Sequence, residues 1–572
     1  MLTPSGRIAT NIARLQVYLI EFTFFELGIF NVTRTSAEPN DMLTRRIFAG
    51  FIALTTLTLV GCKPSSSPSS APATSPDPTD VQDDREIPDG ASDLKPDVFL
   101  RKMQPIVQKF CSDCHVMPRP SSSPKHEWPA EVDQGFMLYV TSGRNDLRVP
   151  DRDDVLKYFQ LQAPEELDIL GPTLGHPPTD LKLSREEIRF DEEWTPAVTN
   201  LRWLDIGIGD QPAMVYCDIS TGAVKAHWLG GTRAGTTERL ATLLQPVHVE
   251  AGDLDADGHL DLIVSDIGEF NADDSDLGRV VWLRRQANSE KFTSIVLADG
   301  LSRVSDARPG DFDGDGDLDV LVAVFGWRNS GRIVMLENMG TDDSGQLPTF
   351  ELRAIDERHG PVHVPPIDLN GDGHLDFVAL ISQDHECVEA FINRGDGSLQ
   401  FDRQVIYRAP DPAYGSSGIE LVDMDGDGDL DVLYSNGDSF DRGLKPYHSI
   451  QWLENTGGYP YQHHHIGKMP GVLSARAGDF DGDGDMDVVA GSLWANPLIQ
   501  QAQNLDTTSI VMLTQTAPGV FHPSKVEGGI HYHLSIETGD FDGDGKQEFA
   551  AGNFIRNLKV DAPEVVVWWN RE

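Results

Sequence analysis

The stretch DFDGDGDLD, at residues 311–319, decides the fold class of this chain because it recurs along the sequence. The pattern D-x-[DN]-x-D-G-x-x-[DE] occurs six times, and successive copies begin 55 to 61 residues apart. The copies are at residues 253–261, 311–319, 368–376, 423–431, 479–487 and 540–548. Each is followed by a strand-like run, such as 318–324. A fixed period of this length indicates an array of similar structural units.

The spacing of oxygen atoms in these acidic loops predicts a cation site in each. Side-chain oxygens at positions 1, 3, 5 and 9 and a main-chain carbonyl at position 7 can surround one hard cation, and glycine at position 6 permits the sharp turn. Ligand sets made only of oxygen favour Ca²⁺ over transition metals. Acidic turns without an ion are the alternative, but the 26 acidic residues of the six copies would repel each other without a counter-ion. About six Ca²⁺ are therefore predicted.

The predicted ligands occupy positions 1, 3, 5 and 9 of each copy. They are Asp253, Asp255, Asp257 and Asp261; Asp311, Asp313, Asp315 and Asp319; Asp368, Asn370, Asp372 and Asp376; Asp423, Asp425, Asp427 and Asp431; Asp479, Asp481, Asp483 and Asp487; and Asp540, Asp542, Asp544 and Glu548.

Each unit holds about four short strands, predicted in one unit at residues 304–310, 319–325, 332–337 and 350–355. Four-stranded units of this length are typical of propeller blades. A degenerate seventh copy begins at Asp205, 48 residues before Asp253; it lacks the ligands at positions 3, 5 and 9, so no ion is predicted there. Seven units predict a seven-bladed ring.

The ring needs one strand from the front of the repeat region. The last unit ends after its third strand, at 565–569, and residues 186–191 (EEIRFD) are predicted to supply the missing outer strand. The fold class is therefore mainly β: a seven-bladed β-propeller preceded by a small all-α domain.

Charges on the predicted inner strands alternate in sign. Three residues before the first ligand of each unit lie Arg202, Glu250, Arg308, Pro365, Glu420, Arg476 and Glu537. Apart from Pro365 the sign alternates, including the closing pair of Glu537 and Arg202. We predict a charge-alternating collar around the central channel, because like charges side by side would be destabilising; the alternative is coincidence among surface residues.

The stretch CSDCH, at residues 111–115, predicts covalent attachment of haem. Two thiols about one helical turn apart can add to the two vinyl groups of one haem, and His115 then lies under the iron. A redox CxxC and half a zinc site are the alternatives. Cys217 and Cys387 are isolated from this motif and are predicted to be buried free thiols.

Three helices are predicted around the motif. Apolar residues between 98 and 110 form a stripe on a helix leading into Cys111, and further helices are predicted over about 124–141 and over 151–161. Met137 is the predicted distal haem ligand and His126 is the alternative, while Met117 is too close to His115 to reach the opposite face. Met137 could also be a core residue.

The N-terminal segment reads as an export signal followed by a tether. Arg45 and Arg46 precede a 14-residue uncharged, mostly apolar run at 47–60, which is short for a transmembrane helix. Translation is predicted to begin at Met42, and a simple membrane anchor is the alternative. Residues 62–94 are rich in Ser, Pro and Asp and are predicted to be a flexible tether.

Three family resemblances accompany these motifs. Residues 59–62, LVGC, resemble the bacterial lipobox, which implies cleavage before Cys62 and its lipidation after a signal region at 1–61. Residues 95–165 resemble a small class I cytochrome c, although Trp128 and Met137 are nine apart and depart from the W-x6-M register of many relatives. Residues 185–572 resemble FG-GAP/VCBS repeats, as in integrin α heads and bacterial extracellular propellers.

Composition and motifs together narrow the function. The chain has 46 Lys and Arg against 90 Asp and Glu, a net charge of −44, which excludes nucleic acid as the expected partner. No catalytic residues are predicted. The expected protein is a membrane-tethered c-type cytochrome that acts in electron transfer. It is expected to be anchored only by lipid, to face the periplasm or exterior and to have a redox partner protein, and the propeller offers a face for a protein or glycan ligand.

Two alternatives remain open at this point. The first is an extracellular adhesion or carbohydrate-binding propeller with an accessory haem domain. The second is a propeller oxidoreductase that passes electrons to the haem. The sequence lacks the repeated tryptophan docking motifs of quinone-dependent propeller dehydrogenases, so no organic cofactor is implied.

Overall fold

Seven four-stranded units follow a short helical region in the computed structural model, which describes residues 94–190, 194–271, 273–286, 289–341, 347–440, 443–494, 498, 505–555 and 561–571. The predicted signal region, the lipidation site Cys62 and nearly all of the tether lie outside these residues. None of the helices within the described ranges is both long and apolar enough to cross a membrane.

Three helices lie where the sequence predicts them: α1 (Pro96–Cys111), α2 (Trp128–Thr141) and α3 (Arg152–Gln160). Residues 94–165, which contain them, are called the helical segment below. Helix α1 buries Phe99, Met103 and Val107, whose spacing of four places them on one face. Trp128 stacks on Phe159 with ring centroids 4.0 Å apart, which joins α2 to α3.

The second helix begins at Trp128 and not near residue 124 as predicted. Pro129 lies in its first turn, where a proline does no harm because the amide it lacks would have no helical partner. The preceding residues Pro120–Ser122 form a short 3-10 turn instead.

The strands form seven antiparallel sheets, each a blade, and in blades 1 to 6 the strands follow chain order from the channel outward. After β1 (Ser184–Ile188), the first three blades contain β2 (Val198–Leu204), β3 (Ala213–Asp218), β4 (Ala223–His227) and β5 (Thr237–Thr242); β6 (Pro246–Gly252), β7 (Asp261–Asp266), β8 (Gly278–Arg285) and β9 (Phe292–Leu301); and β10 (Val304–Gly310), β11 (Asp319–Val324), β12 (Arg332–Asn338) and β13 (Phe350–Asp356).

The other four blades repeat this order. They contain β14 (Pro361–His363), β15 (Pro366–Ile367), β16 (Asp376–Ile381), β17 (Cys387–Asn393) and β18 (Phe401–Arg408); β19 (Ser416–Val422), β20 (Asp431–Asn436), β21 (Ser449–Glu454) and β22 (Gln462–Lys468); β23 (Val472–Gly478), β24 (Asp487–Ser492), β25 (Thr508–Ala517) and β26 (Val520–Gly528); and β27 (His533–Gly539), β28 (Glu548–Asn553) and β29 (Val565–Trp569).

The sequence predicted these blades closely. In blade 3 every predicted strand is confirmed to within one residue at each end. Blade 4 differs because its inner strand is split into β14 and β15, with Pro365 between them. A proline has no amide to donate to a sheet, so the ladder is interrupted at this point.

The seventh blade is completed by β1, which pairs antiparallel with β29 as its outermost strand. The register runs from Ser184 opposite Trp569 to Ile188 opposite Val565. The prediction that this segment supplies the outer strand is therefore confirmed. The strand begins two residues earlier than the predicted range 186–191 and ends three residues earlier. Ile188 is the buried residue of β1, and the strand ends there.

The inner strands form a closed ring around one axis. Each contacts the inner strand of the next blade, and β27 of blade 7 contacts β2 of blade 1. Apolar clusters lie between adjacent blades; one joins Val215 and Val224 of blade 1 to Val264 and Val281 of blade 2. Burial of this apolar surface between sheets is the main stabilising term of the ring.

The predicted collar is present at the closure of the ring. Arg202 Nη2 lies 3.1 Å from Glu250 Oε2, and Arg202 Nη1 lies 3.7 Å from Glu537 Oε2. Arg308 also contacts Glu250. Arg202 and Glu537 are 335 residues apart in the sequence, so their contact requires seven blades closed into one ring. This predicted pair is confirmed.

The two glutamates beside Arg202 have different electrostatic surroundings. Burial opposes ionisation of Glu250, but Arg308 and Arg202 together lower its pKa to about 2. Burial raises the pKa of Glu537, which Arg202 offsets only in part. The difference follows from contact distance, because Glu250 touches two arginines, whereas Arg202 lies 3.7 Å from Glu537 and Arg476 acts on it only by Coulombic attraction.

Reversing one charge of the collar is expected to destabilise the ring. Glu537→Arg would place three arginines in succession, Arg476, the new residue and Arg202, in a site where Glu537 is only 11% exposed. Breaking a pair this buried is expected to lower the free energy of unfolding by about 3 kcal/mol. Adding Arg202→Glu should recover part of the loss, since Glu250 would still face the new glutamate. Denaturant unfolding of both variants measures this.

An exposed ion pair gives the control for this experiment. Arg394 and Asp402 are 2.7 Å apart with side chains 46% and 63% exposed, so Asp402→Arg should cost less than about 1 kcal/mol. Equal losses for Asp402→Arg and Glu537→Arg would contradict a special role for the collar.

Candidate functional site

The CxxCH motif begins at the last residue of α1. Cys111 closes the helix and Cys114 and His115 lie in the turn that follows. Both thiols are free; Cys111 is half-buried and burial raises its pKa to about 12, whereas Cys114 is exposed. Arg144 Nη1 lies 3.4 Å from Cys114 Sγ, and Arg144 Nη2 lies 2.6 Å from a carboxylate oxygen of Asp113. These contacts fix the turn that presents the second thiol.

The ring of His115 is oriented by the main chain. Its Nδ1 lies 2.7 Å from the carbonyl oxygen of Val116. Donation from Nδ1 to that carbonyl leaves Nε2 with a free lone pair, which is the tautomer in which imidazole binds a metal ion.

Helix α2 packs beside the motif through aromatic rings. The ring of Phe110 lies 5.1 Å from that of Phe136 and 5.2 Å from that of Tyr139. Met137 follows Phe136 directly and is half-buried. His126, the other candidate distal ligand, is exposed, and Met117 packs against the core of the helical segment.

The helical segment has exposed aliphatic side chains. Val116, directly after His115, is more than a third exposed, and so are Leu138, Val140 and Val149. An apolar macrocycle attached at Cys111 and Cys114 would find apolar partners here, because dispersion and burial both favour such contacts. The residues present thus fit a covalently attached haem.

The helical segment is attached to blades 4 and 5. The amide of Arg119 donates to Asp411 Oδ2 at 2.7 Å, and Lys445 Nζ donates to Ser123 Oγ at 3.4 Å. Asp411 follows the outer strand of blade 4, and Lys445 lies between β20 and β21 of blade 5. Both propeller residues are 2% exposed, so the contact is buried.

The motif's histidine lies within electrostatic range of the same face. Asp384, between β16 and β17, has a pKa lowered mainly by His359, and His115 contributes to the shift. Because strands alternate in direction, the loops after β16, β18 and β20 lie on the opposite face from the acidic loops, which connect first to second strands. The helical segment therefore covers the face without acidic loops.

The acidic loops share one hydrogen-bonding scheme. In all six, the aspartate at position 1 accepts a bond from the amide of the glycine at position 6, at 2.8–3.2 Å. These glycines have positive φ, for example 97° at Gly316, where an L side chain would be strained. The sharp turn that the sequence predicted at the position-6 glycine is therefore confirmed.

The carboxylate at position 9 fastens each loop to its blade. One oxygen accepts from the amide at position 2, at 2.9–3.3 Å. In blades 2 to 6 the other accepts from an amide at or beside the end of the third strand, at 2.7–2.9 Å. These residues are at most 1% exposed, and burial raises the pKa of Asp319 and Glu548 to about 7.

Position 9 therefore has a structural role that the sequence reasoning did not include. A carboxylate oxygen has two lone pairs, so an oxygen bonded to one amide keeps one for a cation. Hydrogen bonding to the blade and cation binding are thus compatible at this position.

The structure brings together three predicted ligands in each of five loops. Among the described residues, carboxylate oxygens lie within 4.8 Å of one another in the groups Asp253, Asp255 and Asp261; Asp311, Asp313 and Asp315; Asp423, Asp425 and Asp431; Asp479, Asp481 and Asp483; and Asp540, Asp542 and Asp544. Positions 1 and 3 belong to every group. In the loop of blade 4, Asn370 replaces the acid at position 3 and its Nδ2 donates to Asp372 at 3.0 Å.

Comparison with known families adds to this geometry. The FG-GAP-like repeat family matches residues 311–379 and 368–434. The protein contains FG-GAP-like repeats. No curated protein matches the chain at a significant level. Each matched FG-GAP-like repeat runs from an acidic loop to the second strand of the next blade, so the sequence repeat is offset from the structural blade.

Blade 1 departs from the FG-GAP-like loop pattern. The amide of Gly207 donates to Asp205 Oδ1 at 2.8 Å, so the first aspartate of the degenerate copy still organises a turn. Arg285 Nη1, from blade 2, donates to the carbonyl of Ile206 at 3.3 Å. A side-chain cation of the neighbouring blade therefore contacts this loop.

Polar side chains on the inner strands of blades 2, 3 and 4 pair with one another near the collar. Asp306 is fully buried and lies 2.8 Å from Arg308 Nε, 3.2 Å from His248 Nε2 and 3.6 Å from His363 Nδ1. Despite its burial, Arg308 keeps the pKa of Asp306 well below its usual range. These polar groups of blades 2, 3 and 4 therefore pair with one another.

Other charged groups could not be assigned from the sequence. Lys225 is fully buried and lies 2.7 Å from Glu564 Oε1, which joins blade 1 to blade 7 beside the closure. The predicted buried state of Cys217 and Cys387 is confirmed, at 0% and 1% exposure. Arg284, on the third strand of blade 2, reaches the acidic loop of its own blade.

Proposed function

We propose that this protein is a membrane-tethered c-type cytochrome that transfers electrons and is carried on a calcium-stabilised propeller of FG-GAP-like repeats. The observation that supports it best is the CxxCH motif at the end of α1, with Nδ1 of His115 beside a main-chain carbonyl and Nε2 left for a metal. A haem, when bound, supplies reversible one-electron transfer at its iron.

The residues of the helical segment would divide the tasks of holding the haem. Cys111 and Cys114 would attach it through thioether bonds, and His115 would hold the iron from one side. Arg144, which contacts both Cys114 and Asp113, would keep the second thiol in place and add positive charge beside it. Met137 is the proposed distal ligand, with His126 as the alternative.

The propeller would act as the carrier of this redox segment. The buried contacts of Arg119 with Asp411 and of Lys445 with Ser123 support a fixed attachment and not a swinging arm. About six Ca²⁺ in the acidic loops would offset part of the net charge of −44. The free parts of the propeller face could bind a redox partner protein or another protein or glycan.

Anchoring is proposed from the sequence pattern alone. A lipid on Cys62 would hold the protein at the cell envelope, with residues 63–94 as the tether. Cys62→Ser should release the protein from the membrane fraction and remove labelling by a fatty-acid probe. Retention of both would contradict the anchor.

A spectrum of the purified protein tests the proposed function. The full chain, produced in a host that matures c-type cytochromes, should give a reduced-minus-oxidised difference spectrum of a c-type haem, with one haem for each chain and a single potential on redox titration. A colourless protein from such a host would contradict the electron-transfer function. Reduction of the haem by an added substrate would favour the oxidoreductase alternative.

Met137→Ala is expected to change the iron's coordination without detaching the haem. Removing the proposed thioether ligand should give a high-spin or water-ligated spectrum, because a six-coordinate haem then lacks its distal ligand. His126→Ala is the matched comparison and should leave the spectrum unchanged. The opposite pattern would assign the distal position to His126.

A further inference from the structure

One residue near the end of the third strand is structurally equivalent in blades 2 to 7 and lies beside the acidic loop of its blade. The amide that bonds to position 9 belongs to Arg285, Asn338, Asn393, Asn455, Gln515 and Asn570 in blades 2 to 7. The residue just before it is therefore structurally equivalent in all six blades and is called the flanking position. It is occupied, in order, by Arg284, Glu337, Ile392, Glu454, Thr514 and Trp569.

In blade 2 the flanking position supplies a cation to the loop. Arg284 Nε lies 2.5 Å from Asp255 Oδ2, and its Nη2 lies 3.2 Å from Asp257 Oδ2. These carboxylates are at positions 3 and 5, where a bound cation would also need oxygen ligands. The guanidinium therefore competes with a cation for the same oxygens.

In blade 7 an arginine also contacts the acidic loop, but it lies two residues after the flanking position. Arg571 Nε lies 2.9 Å from Asp542 Oδ2, at position 3 of the loop. The guanidinium carbon of Arg571 lies 3.9 Å from the ring centroid of Trp569, which occupies the flanking position. The tryptophan thus supports the arginine in place of carrying the charge itself.

In blades 3, 5 and 6 the flanking position carries no arginine, and the loops themselves are more acidic. Each loop contains five acidic residues, against four in blades 2 and 7. Glu337 and Glu454 occupy the flanking position in blades 3 and 5, and Thr514 does so in blade 6. Glu337 and Glu454 add negative charge close to the carboxylates of Asp313 and Asp425, at position 3. The negative charge of Glu337 and Glu454 would thus strengthen binding of a cation, although Arg353 offsets part of the charge of Glu337.

We infer that Arg284 and Arg571 are built-in counter-ions, so that the loops of blades 2 and 7 bind calcium more weakly than those of blades 3, 5 and 6. The inference rests on the proposed calcium binding by these loops. Blade 1 lies between blades 2 and 7, which carry Arg284 and Arg571, and Arg285 of blade 2 contacts the loop of blade 1. The arc of blades 7, 1 and 2, which contains the ring closure, therefore keeps its counter-cations when free calcium falls, and blades 3, 5 and 6 lose theirs.

Hydrogen–deuterium exchange of the full chain over a series of free calcium concentrations tests this inference. The position-6 amides, such as Gly316 and Gly484, should gain protection in blades 3, 5 and 6 at lower calcium than Gly258 and Gly545 do in blades 2 and 7. Arg284→Gln should lower the calcium concentration that protects its own loop at least about tenfold, because it removes a positive charge that contacts the carboxylates of Asp255 and Asp257. Arg571→Gln should do the same in blade 7.

Two further variants complete the test. Glu337→Arg places a cation at the same position in blade 3 and should raise the calcium requirement of that loop by a similar factor. Arg394→Gln removes an exposed arginine paired with Asp402 and should change no loop. Melting at saturating calcium confirms that each variant is folded before its loops are compared.

The outcomes separate this inference from the proposed function. If no loop of the unaltered protein responds to calcium, the proposed calcium binding is wrong and the inference falls with it. If the loops respond at one common concentration and Arg284→Gln changes nothing, calcium binding stands and the inference is wrong.

Discussion

Replacing both Cys111 and Cys114 by serine is expected to abolish covalently bound pigment completely. Thioether bonds to these two sulfurs are the only covalent attachment proposed for the haem, so none should survive denaturation and acid-acetone extraction. Pigment that remains with the chain is measured by peroxidase staining of a denaturing gel and by the pyridine haemochrome spectrum.

The isolated cysteines provide the control for this experiment. Cys217→Ala and Cys387→Ala remove free thiols that are buried in blades 1 and 4, so both variants should keep their pigment. Covalent pigment in the Cys111/Cys114 double variant would show that the attachment site is elsewhere.

Removal of calcium is expected to lower the melting temperature of the propeller strongly. Three carboxylates lie within 4.8 Å of one another in each of five described loops, and they repel when no cation lies between them. An ion that binds only the native state stabilises by about 2.7 kcal/mol for each site at a hundredfold excess over its dissociation constant. Several sites together would make a large difference between melts with and without chelator.

Replacement of the ion completes this test. Calcium added back after chelation should restore the melting temperature, whereas magnesium should do so less well, because it demands a stricter octahedral geometry. Asp402→Asn, which removes an exposed acid outside the loops, should leave the chelator effect unchanged. Coincident melts with and without chelator would contradict calcium stabilisation.

The fold was largely predictable because its information is local and repeated. The six copies of one nonapeptide and the degenerate copy at Asp205 together predicted seven blades, and the strands of blade 3 were predicted to within one residue. The pairing of Arg202 with Glu537 was predictable because both stand at the same offset from a loop. Pro365 broke that series, and the structure shows the reason: it interrupts the inner strand of blade 4.

Contacts that involve residues outside the repeated nonapeptide were not predictable from the sequence. Arg284 reaches Asp255 across 29 residues, and only the register of the third strand brings them together. The bond between Arg119 and Asp411 joins the helical segment to a loop with which it shares no period. The buried pair of Lys225 and Glu564 has the same character, since neither residue belongs to a motif.

The pairing of β1 with β29 determines when the protein can finish folding. Val565 is synthesised 377 residues after Ile188, its partner in the outermost ladder of blade 7. Until β29 emerges, β1 has no partner strand, and the ladder that completes blade 7 cannot form. Unpaired strand edges bind other extended chains readily, and contacts so distant in sequence form slowly. We therefore expect the nascent chain to aggregate most readily just before its synthesis is complete, when a chaperone would matter most.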